Sequence, residues 1–555
     1  MNINKLELTW IGKEKKPKLE PRVLIEDFEK SYYAEQRVSE KDIYDNMLIF
    51  GDNLLALKAL ETEYIEEVKC IYIDPPYNTG SAFELYDDGI EHSIWLSLMR
   101  DRLLLLYKLL RPDGVIFISI DDNEYAYLSV LMDEIFERKN YCGTLIWEKK
   151  KKPSFLSSNM GIITEYILCY AKDRSKAPAF IYGTTTESKK YPINNAGNGI
   201  RIIKFPPHSV KIMLEDTTIE PQDMSEGKII TRLLDPVTIY DSYNVNSFRL
   251  EGEWRYSQEK LDQIITEGDE LIISKIPFRP NHIKKGGDPK KLKNLLSSSH
   301  YNMATYEDAT AESRAMFGHD NSFPYPKPEM LIQLLINSVT KEGDIVLDSF
   351  AGSGTTGAVA HKMGRRWIMV ELGEHCHTHI IPRMKKVIDG TDQGGISKDV
   401  NWKGGGGFRY YRLAPSLLEK DKWGNWVISK DYNKELLAEA ICKLEGFIYA
   451  PSETIFWQQG YSTDSDYIYV TTQILNEEQI RLISEEVGDN RTLLILCLAF
   501  TADVSKFNNL TVKKIPKQIL NKCEYGKDDY SLNIKNLPLM EQPEKQSSIF
   551  EEGEI

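Results

Sequence analysis

The sequence predicts an α/β protein whose core is a doubly wound, mainly parallel sheet built from two separated segments of the chain. Three observations lead to this prediction. Apolar, β-branched runs alternate with helical patterns over residues 36–145, the alternation stops over 146–320, and it resumes over 321–412. Strands that alternate with helices are typical of a parallel sheet, because each helix carries the chain back to the start of the next strand.

The first segment contains three predicted strands and two predicted helices. The strands are short runs of Val, Ile, Leu and Phe, and the longer helix ends at an Arg-Pro-Asp-Gly turn, where proline and glycine break the helical pattern. We expect strands at 47–50, 68–73 and 115–120, and helices at about 54–60 and 93–110.

The second segment repeats this order. We expect helices at 327–339 and 355–363, each followed by a strand, at 344–348 and 367–371. Because the same alternation returns after the insert, we expect both segments to contribute to one sheet.

The rest of the chain divides where composition changes. Residues 146–320 are rich in Gly, Pro, Asn and Ser and predict an inserted, irregular α+β domain. The four glycines at 404–407 predict either a hinge or a close backbone approach, ahead of a strand at 408–411. We expect an N-terminal arm over 1–35, a third α+β domain over 413–541 and a flexible acidic tail over 542–555.

Length and composition exclude several classes of protein. The chain has 555 residues, of which 41% are hydrophobic, enough for several packed cores. Its longest apolar run, residues 493–500, is too short to span a bilayer, and no apolar signal segment is present at the start. Seven scattered cysteines without a CxxC pair argue against a disulfide framework. We therefore expect a soluble, cytoplasmic protein that uses no membrane.

The charge is distributed unevenly along the chain. The net charge is −14, yet residues 141–300 contain 24 Lys and Arg against 19 Asp and Glu. Two basic runs lie in this region, Lys149-Lys150-Lys151-Lys152 and a second run that begins with Lys284 and Lys285. Each run fits a solvated surface as well as a surface that contacts nucleic-acid phosphates.

A glycine-rich loop follows the predicted strand 344–348. Here Gly352, Gly354 and Gly357 match GxGxxG between a strand and a helix, the position where an α/β sheet of Rossmann-like type binds a cofactor. The loop lacks the Gly-Lys-Ser/Thr ending of a P-loop. By itself it fits a dinucleotide, S-adenosylmethionine or a tight structural turn, and Glu371 after the next strand is placed to hold ribose hydroxyls.

The segment Asp74-Pro75-Pro76-Tyr77 follows the buried strand 68–73. It narrows the choice between a dinucleotide, S-adenosylmethionine and a structural turn as the explanation of the glycine loop. Two prolines stiffen the chain and contribute carbonyl acceptors beside a carboxylate. Such fixed acceptors can grip the N–H bonds of an aromatic amine and direct its lone pair at an electrophile, while Tyr77 offers a face for stacking. The structural alternative is a proline turn with a surface tyrosine.

The cluster at residues 375–379 suggests a metal site but is better explained as the polar start of a helix. Residues 375–379 read His-Cys-His-Thr-His, but they lie at a predicted helix start and have no second ligand cluster elsewhere in the sequence. We therefore expect no metal.

The order of these motifs resembles that of the S-adenosylmethionine-dependent DNA amino-methyltransferases of the permuted, beta class. In that family an Asp-Pro-Pro-Tyr segment precedes the target-recognition insert and a Phe-x-Gly-x-Gly segment follows it, as Asp74–Tyr77 and Phe350–Gly354 do here. Two further matches are Gly51-Asp52 and the segment 323–328, which reads Phe-Pro-Tyr-Pro-Lys-Pro.

The resemblance implies roles for individual residues. The catalytic segment would be Asp74, Pro75, Pro76 and Tyr77, and Lys149 to Lys152 with Lys284 and Lys285 would contact DNA. The residues implied to bind S-adenosylmethionine are Asp348, Phe350, Gly352, Gly354, Thr355 and Thr356 at its methionine end, Glu371 at the ribose, Asp52 at the adenine, and Lys327 and Pro328, which close the pocket.

The resemblance also implies a substrate and partners. Asp at the first catalytic position is typical of enzymes that methylate the N6 amine of adenine, whereas Ser is more typical of cytosine-N4 enzymes. The target adenine would be flipped out of double-stranded DNA. Length, Asn78-Thr79-Gly80 after Tyr77, and the Gly-rich run resemble modification subunits of type III restriction-modification systems, which implies a homodimer and a helicase-nuclease restriction subunit or another defence protein as partner.

Two alternatives from other classes remain open at the level of the sequence. A dinucleotide-dependent oxidoreductase would explain the glycine loop but gives no role to Asp74–Tyr77. A non-catalytic DNA-binding subunit would explain the basic runs but not two intact pocket motifs.

Overall fold

In the computed structural model, residues 7–77, 92–152, 160–184, 190–283 and 288–531 are described. The chain divides into two compact units. One consists of Phe180–Leu292, and the other of the residues on either side, Met1–Ala179 and Lys293–Ile555. The smaller unit lies inside the range 146–320 that the sequence predicts as an insert.

An eleven-stranded sheet forms the centre of the larger unit. Its strands in chain order are β1 (Leu24–Glu26), β2 (Tyr32–Tyr33), β3 (Asn46–Phe50), β4 (Val68–Ile73), β5 (Leu110–Ile120), β6 (Tyr141–Glu148), β7 (Thr164–Ala171), β8 (Leu295–Leu296), β9 (Ile345–Asp348), β10 (Arg366–Glu371) and β11 (Gly407–Leu413). Their order across the sheet is β1-β11-β3-β10-β9-β4-β5-β7-β6-β8, and β2 also pairs with β11.

The six strands from β11 to β5 in this order are all parallel. All residues of β4 and β9 are buried, as expected for strands that are covered on both faces. The core side chains of Ile71, Ile73 and Leu347 are fully inaccessible, and truncation of one such Leu or Ile to Ala typically costs about 2–5 kcal/mol. The α/β class and the two-segment sheet agree with the prediction.

The four helices predicted at 54–60, 93–110, 327–339 and 355–363 are present, with ends that differ from the predicted ones by up to four residues. Asp52 caps the first of them through the N–H groups of Leu54 and Leu55. The α-helices of the larger unit are Asn53–Tyr64, His92–Leu109, Tyr125–Met132, Ser298–Tyr301, Tyr306–Phe317, Glu329–Val339, Thr355–Lys362, Ile381–Ile388, Lys434–Glu445 and Glu477–Val487, and short π or 3₁₀ turns lie at Asp133–Glu137, Arg138–Asn140, Cys376–Ile380 and Val504–Lys506.

The antiparallel strands β6 and β7 differ from the sequence prediction. The expected boundary at residue 146 falls inside β6, and β7 pairs with both β5 and β6. Five of the first six residues of β6 are only partly buried, so its sequence lacks the continuous apolar run of the central strands. The sheet therefore extends to Ala171, and the separate compact unit begins only at Phe180.

Within residues 180–184, 190–283 and 288–292, the smaller unit contains short strands and one helix, Gln258–Thr266, around its own apolar core. A four-stranded sheet joins Ile200–Phe205, Phe248–Glu253, Thr231–Leu233 and Gln222–Asp223; a seven-stranded sheet joins Thr217–Ile219, Val237–Tyr240, Tyr243–Asn244, Lys211–Ile212, Glu270–Ile273, Asn281–Ile283 and Lys190–Pro192; and Pro289–Lys291 pairs with Ile181–Thr184. Residues 180–292 contain 16 Lys and Arg and 16 Asp and Glu. The basic excess of residues 141–300 therefore lies outside this unit.

The glycine run at 404–407 is a close backbone approach and not a hinge. A Cβ added to Gly404 would lie 2.7 Å from the carbonyl oxygen of Ile388, and one on Gly406 would lie 2.6 Å from that of Ile43. Only glycine avoids these clashes, so side-chain size and not flexibility explains the run.

Both ends of the described chain join the larger unit. The predicted N-terminal arm supplies β1 and β2 to the sheet, and buried Arg22 donates a hydrogen bond to the carbonyl oxygen of Ala414. Residues 413–531 group with the sheet, although the sequence suggests a separate domain there. Their strands are Leu418–Lys420, Trp426–Ile428, Ile448–Tyr449, Gly460–Thr463, Asp466–Val470, Ile474–Leu475, Thr492–Cys497, Ala499–Phe500 and Leu510–Lys514. The predicted tail, 542–555, lies outside the described residues.

In the part of the chain that the structure describes, no helix combines the length and apolar character that a bilayer crossing requires. Nor do the described residues include a group of three or more His, Cys, Asp or Glu side chains arranged to hold a metal ion. In the His-Cys-His-Thr-His segment, His379 contacts the carbonyl oxygen of Asn321 through Nε2.

Candidate active site

Acidic residues lie at or just beyond the carboxyl ends of five neighbouring parallel strands, at the same edge of the sheet. The carboxyl ends of parallel strands form the edge where α/β proteins bind ligands. In the order of the strands β3, β10, β9, β4 and β5, these residues are Asp52, Glu371, Asp348, Asp74 and Asp121.

A cavity of about 350 Å³ opens at this edge. Both motifs that the sequence singles out line it: Asp74 to Tyr77 on one side, and Asp348, Phe350, Gly352, Thr355 and Thr356 on the other. Lys327 lies between them. The fold thus brings together two motifs that are more than 270 residues apart in the chain.

On the first side, Asp74 forms an ion pair with Lys327. The ammonium nitrogen of Lys327 lies 2.9 and 2.8 Å from the two carboxylate oxygens of Asp74. Burial by itself would lower the pKa of Lys327, but the nearby charges of Asp74 and Glu165 outweigh it and raise the pKa. Lys327 is therefore a cation at neutral pH.

Two tyrosine hydroxyls complete this side of the cavity. The hydroxyl of Tyr77 donates to Asp74 at 2.6 Å, and that of Tyr306 donates to Glu165 at 2.9 Å. Burial first, and the neighbouring carboxylates second, raise the pKa of both tyrosines well above the usual value. Both hydroxyls are therefore neutral donors at physiological pH.

The two prolines hold this turn in place. The indole N–H of Trp95 donates to the carbonyl oxygen of Pro76 at 2.6 Å, which anchors the turn to the helix His92–Leu109. Pro75 is buried directly after Asp74. Neither proline has an N–H to donate, and Asp74 is the charged residue that this segment contributes to the cavity lining. Residues 78–80, part of the predicted motif, lie outside the described residues.

On the second side, Asp348 contacts neutral donors. The hydroxyl of Thr356 donates to it at 2.5 Å and the N–H of Phe350 at 2.9 Å. Because the side chain is buried and these bonds only partly compensate, the pKa of Asp348 is raised to about 7.

The glycine loop adopts the backbone conformation that its sequence requires. Gly352 and Gly354 have φ values of 53° and 75°, in the left-handed region that favours glycine. The N–H of Gly352 donates to Glu371 at 2.8 Å, so this carboxylate also fixes the loop. The Thr355 hydroxyl donates to the carbonyl oxygen of Lys327 at 3.2 Å, which joins the loop to the turn before the helix that Pro328 caps.

Asp52 lies at the same edge but is not among the residues that line the cavity. It caps the helix Asn53–Tyr64, and its second oxygen accepts bonds from Arg102 at 3.3 Å and from the N–H of Tyr530 at 3.1 Å. These contacts explain the conformation of Asp52 without a ligand, and its role at an adenine group stays a prediction.

The basic run 149–152 does not form one uniform surface. Lys149 points inward and pairs with Glu165 at 3.1 Å, and Lys151 pairs with Asp308 at 3.1 Å. Lys150 lines the cavity, and Lys152 is exposed. Lys284 and Lys285 lie outside the described residues.

Sequence reasoning missed Glu165 and Tyr306. A signal exists for Glu165, because a single carboxylate beside the apolar run 166–171 of a buried strand is unusual. No comparable signal marks Tyr306, since its position next to Asp74 depends on the three-dimensional packing alone.

The chain matches the model of the DNA methylase family of the N6/N4 type over residues 68–382, more than half its length. It belongs to this family. The match begins at the strand that carries Asp74 and ends beyond Glu371, so it includes the whole cavity.

Curated relatives are similar over a large part of the chain. The probable type III restriction-modification enzyme HindVI Mod subunit of Haemophilus influenzae is 34% identical over 68% of this chain and 55% of its own length. The StyLTI Mod subunit of Salmonella typhimurium is 32% identical over 60% and 52%, and the EcoPI Mod subunit of Escherichia phage P1 is 31% identical over 69% and 64%. The matches therefore span about half to two thirds of these relatives.

Proposed function

We propose that this DNA methylase transfers the methyl group of S-adenosylmethionine to the N6 amine of an adenine flipped out of double-stranded DNA. The observation that carries this proposal is the single cavity in which Asp74 and Asp348 meet, at the ends of the neighbouring strands β4 and β9. We assign Asp74 to the amine and Asp348 to a cationic cofactor.

The second side of the cavity fits S-adenosylmethionine. This cofactor supplies an electrophilic methyl group on a positively charged sulfonium. Buried Asp348, which has only neutral donors among the contacts described above, gains a favourable interaction when a cation binds near it. Gly352 and Thr355 line this wall of the cavity. Glu371 fixes the loop through the N–H of Gly352 but does not itself line the cavity, so its contact with the ribose hydroxyls stays a prediction.

The first side fits the amine that receives the methyl group. Asp74 accepts an N–H of the amine and keeps its lone pair directed into the cavity, and Tyr77 holds the carboxylate through its hydroxyl. Formation of the new C–N bond would break the bond between the methyl carbon and the sulfonium sulfur, so that S-adenosylhomocysteine leaves, and the amine would give up one proton, which Asp74 would accept. Because a paired base cannot reach such a cavity, the adenine has to leave the helix stack, at a cost of about a few kcal/mol.

Adenine is favoured over cytosine as the target base. Asp occupies the first catalytic position, and the relatives support this preference: they include type III Mod subunits and a protein named DNA adenine methyltransferase YhdJ, of Escherichia coli. The cytosine-N4 reaction is the alternative, since the family as a whole carries both designations.

The setting that we propose is a type III restriction-modification or related phage-defence system. The unit Phe180–Leu292 would read the sequence around the target base, and residues 413–531 would form the contact with a second copy of the chain or with a restriction subunit. Support comes from the relatives named Mod subunits. Light scattering of the purified chain, alone and with a candidate partner, tests the assembly.

The test of the reaction is methylation-sensitive long-read sequencing of DNA from cells that express the chain. We expect N6-methyladenine at one short recognition sequence, absent from cells that carry the Asp74→Ala variant. Methylation of cytosine would support the alternative base. DNA without new methylation, together with a nicotinamide or flavin cofactor retained on the purified protein, would support the oxidoreductase; unmethylated DNA and no cofactor would support a non-catalytic DNA-binding subunit.

A further inference from the structure

The buried ammonium of Lys327 has more acceptors than it can satisfy. Four oxygens lie within 2.9 Å of it: both carboxylate oxygens of Asp74 and the hydroxyls of Tyr77 and Tyr306. A fifth, from Glu165, lies at 3.5 Å. An ammonium has only three protons. Lys327 can therefore exchange one acceptor for another with a small movement.

The ion pair with Lys327 competes with the role proposed for Asp74. Lys327 contacts both oxygens of this carboxylate, and the Tyr77 hydroxyl makes a third hydrogen bond to it. A carboxylate has about four acceptor positions, so these bonds leave about one for an incoming amine. A shift of Lys327 away from one oxygen would free a second position for the amine.

Lys327 cannot simply leave the cavity or lose its charge. Its side chain is 5% exposed, and moving an unpaired ammonium away from a carboxylate in such surroundings is costly. A second negative charge close by would remove most of that cost.

Glu165 supplies such a charge. Its side chain is 5% exposed and lies 3.5 Å from the Lys327 nitrogen, on the neighbouring antiparallel part of the sheet. Tyr306 donates to both of its oxygens, at 3.1 and 2.9 Å, and Lys149 contacts one of them at 3.1 Å. These donors hold the carboxylate in place beside the Lys327 ammonium.

We propose that Glu165 is a positioning residue that retains the Lys327 ammonium while the target amine binds to Asp74. In the structure Lys327 contacts Asp74; with the base in place it shifts toward Glu165 and the Tyr306 hydroxyl and releases an oxygen of Asp74. This inference deepens the proposed function and rests on it.

Charge removal at Glu165 is the direct test. Glu165→Gln keeps the size of the side chain and one acceptor oxygen, but it replaces the other oxygen with an N–H donor group and removes the charge. We expect kcat/KM for methylation to fall about 30-fold, and 2-aminopurine at the target position to report less base flipping, whereas calorimetry gives an unchanged affinity for S-adenosylmethionine. Glu342→Gln is the matched control, because Glu342 forms an exposed ion pair with Lys41 at the opposite edge of the sheet.

A double-mutant cycle distinguishes this role from a merely structural one. If Glu165 acts through Lys327, then Glu165→Gln in the Lys327→Met background changes kcat/KM by less than about threefold, because coupled residues are non-additive. Tyr306→Phe should lower kcat/KM by a smaller factor than Glu165→Gln, and this factor should likewise shrink in the Lys327→Met background. If Glu165→Gln does not fold, the cycle with Tyr306→Phe is the test. If Glu165→Gln lowered kcat/KM by the same factor in the wild-type and the Lys327→Met backgrounds, the inference would be overturned.

The wild-type measurement separates this inference from the function on which it rests. A wild-type protein that binds S-adenosylmethionine but methylates no DNA would overturn the proposed function and the inference together. An active wild-type protein with additive substitutions, or with unchanged base flipping in Glu165→Gln, would overturn the inference and leave the function intact.

Discussion

The two sides of the cavity carry the same residue type at equivalent positions but give it different surroundings. Asp74 and Asp348 each lie at the end of a parallel strand, and the two strands are neighbours. Asp74 is 27% exposed on its side chain and is paired with the Lys327 ammonium. Asp348 is 2% exposed, contacts neutral donors and has a pKa raised to about 7. Under the proposed function, the environment and not the residue type would determine which carboxylate binds the amine and which binds near a cation.

Removal of Asp74 should have the largest effect on the reaction. We expect Asp74→Ala to lower the rate of methyl transfer by about a hundredfold or more, because the amine loses the acceptor that orients it. Its affinity for S-adenosylmethionine, measured by calorimetry, should stay within about threefold. Asp45→Ala at the opposite edge of the sheet, where Asp45 pairs with Arg366, is the control and should remain active. Comparable activity in both variants would contradict the assignment of Asp74.

A substitution in the glycine loop should affect the other side of the cavity. Gly352→Val places a β-branched residue at a φ of 53° and fills the wall beside Asp348, so we expect S-adenosylmethionine binding to fall by more than about tenfold. Gly343→Val imposes a similar backbone cost at a φ of 81°, away from the cavity and with open space around the new side chain. Both variants should lose stability, but only Gly352→Val should lose the cofactor. If Gly343→Val lost S-adenosylmethionine binding to the same extent, the loss in Gly352→Val would be a consequence of poorer folding and not of a filled cavity.

The raised pKa of Asp348 predicts a pH dependence of cofactor binding. The charged carboxylate is the form that attracts a cation, and protonation near pH 7 removes it. Affinity should therefore be highest above pH 8 and fall as the pH decreases, to about one tenth of its maximum at pH 6. Calorimetry from pH 5.5 to 8.5 measures this change. Asp348→Asn should bind more weakly at high pH and show little change with pH, and a wild-type profile equally flat would contradict the role of Asp348.

The raised pKa of Asp348 affects stability in the opposite direction: cofactor affinity should rise with pH, whereas the contribution of this residue to folding stability should fall. Folding raises the pKa of Asp348 from about 3.9 in the unfolded chain to about 7. The folded protein therefore holds the proton more tightly, and this residue favours folding below the unfolded value and loses that contribution as the pH rises through 7. Urea unfolding of wild-type protein and Asp348→Asn at pH 5 and pH 8 should show the larger pH effect in the wild type.

We expect the smallest effect from substitutions in the basic run 149–152, which should change DNA binding. Lys150→Gln with Lys152→Gln should weaken DNA binding across sequences and reduce the slope of log affinity against log salt by about one for each phosphate that is no longer neutralised. Lys149→Gln should instead disturb Glu165 and lower methylation. Unchanged salt slopes in the double variant would show that Lys150 and Lys152 neutralise no DNA phosphate.

The sequence predicts best what depends on local pattern. The strands β4, β9 and β10 appear within one residue of their predicted bounds, because continuous apolar runs of this length form buried parallel strands almost wherever they occur. The joining of Asp74 with Asp348 also follows from the sequence, since both lie at carboxyl ends of strands in one sheet.

Features that depend on packing were not predictable in the same way. Strands β6 and β7 lie toward one edge of the sheet, and the partly buried β6 resembles an irregular segment until its partner is known. The glycines at 404–407 fit a hinge equally well until the carbonyl groups of Ile388 and Ile43 are seen beside them. Tyr306 reaches the active-site carboxylates from a helix that no motif marks.

The central claim is that one cavity joins an amine side at Asp74 to a cofactor side at Asp348. The most direct test incubates unmethylated DNA with S-adenosylmethionine carrying a trideuterated methyl group and analyses the nucleosides by mass spectrometry. The account predicts trideuterated N6-methyladenine from the wild-type chain, and none above background from an Asp74→Ala chain that still binds the cofactor. Label on no nucleoside in the wild type, or equal label on adenine in both chains, would contradict it.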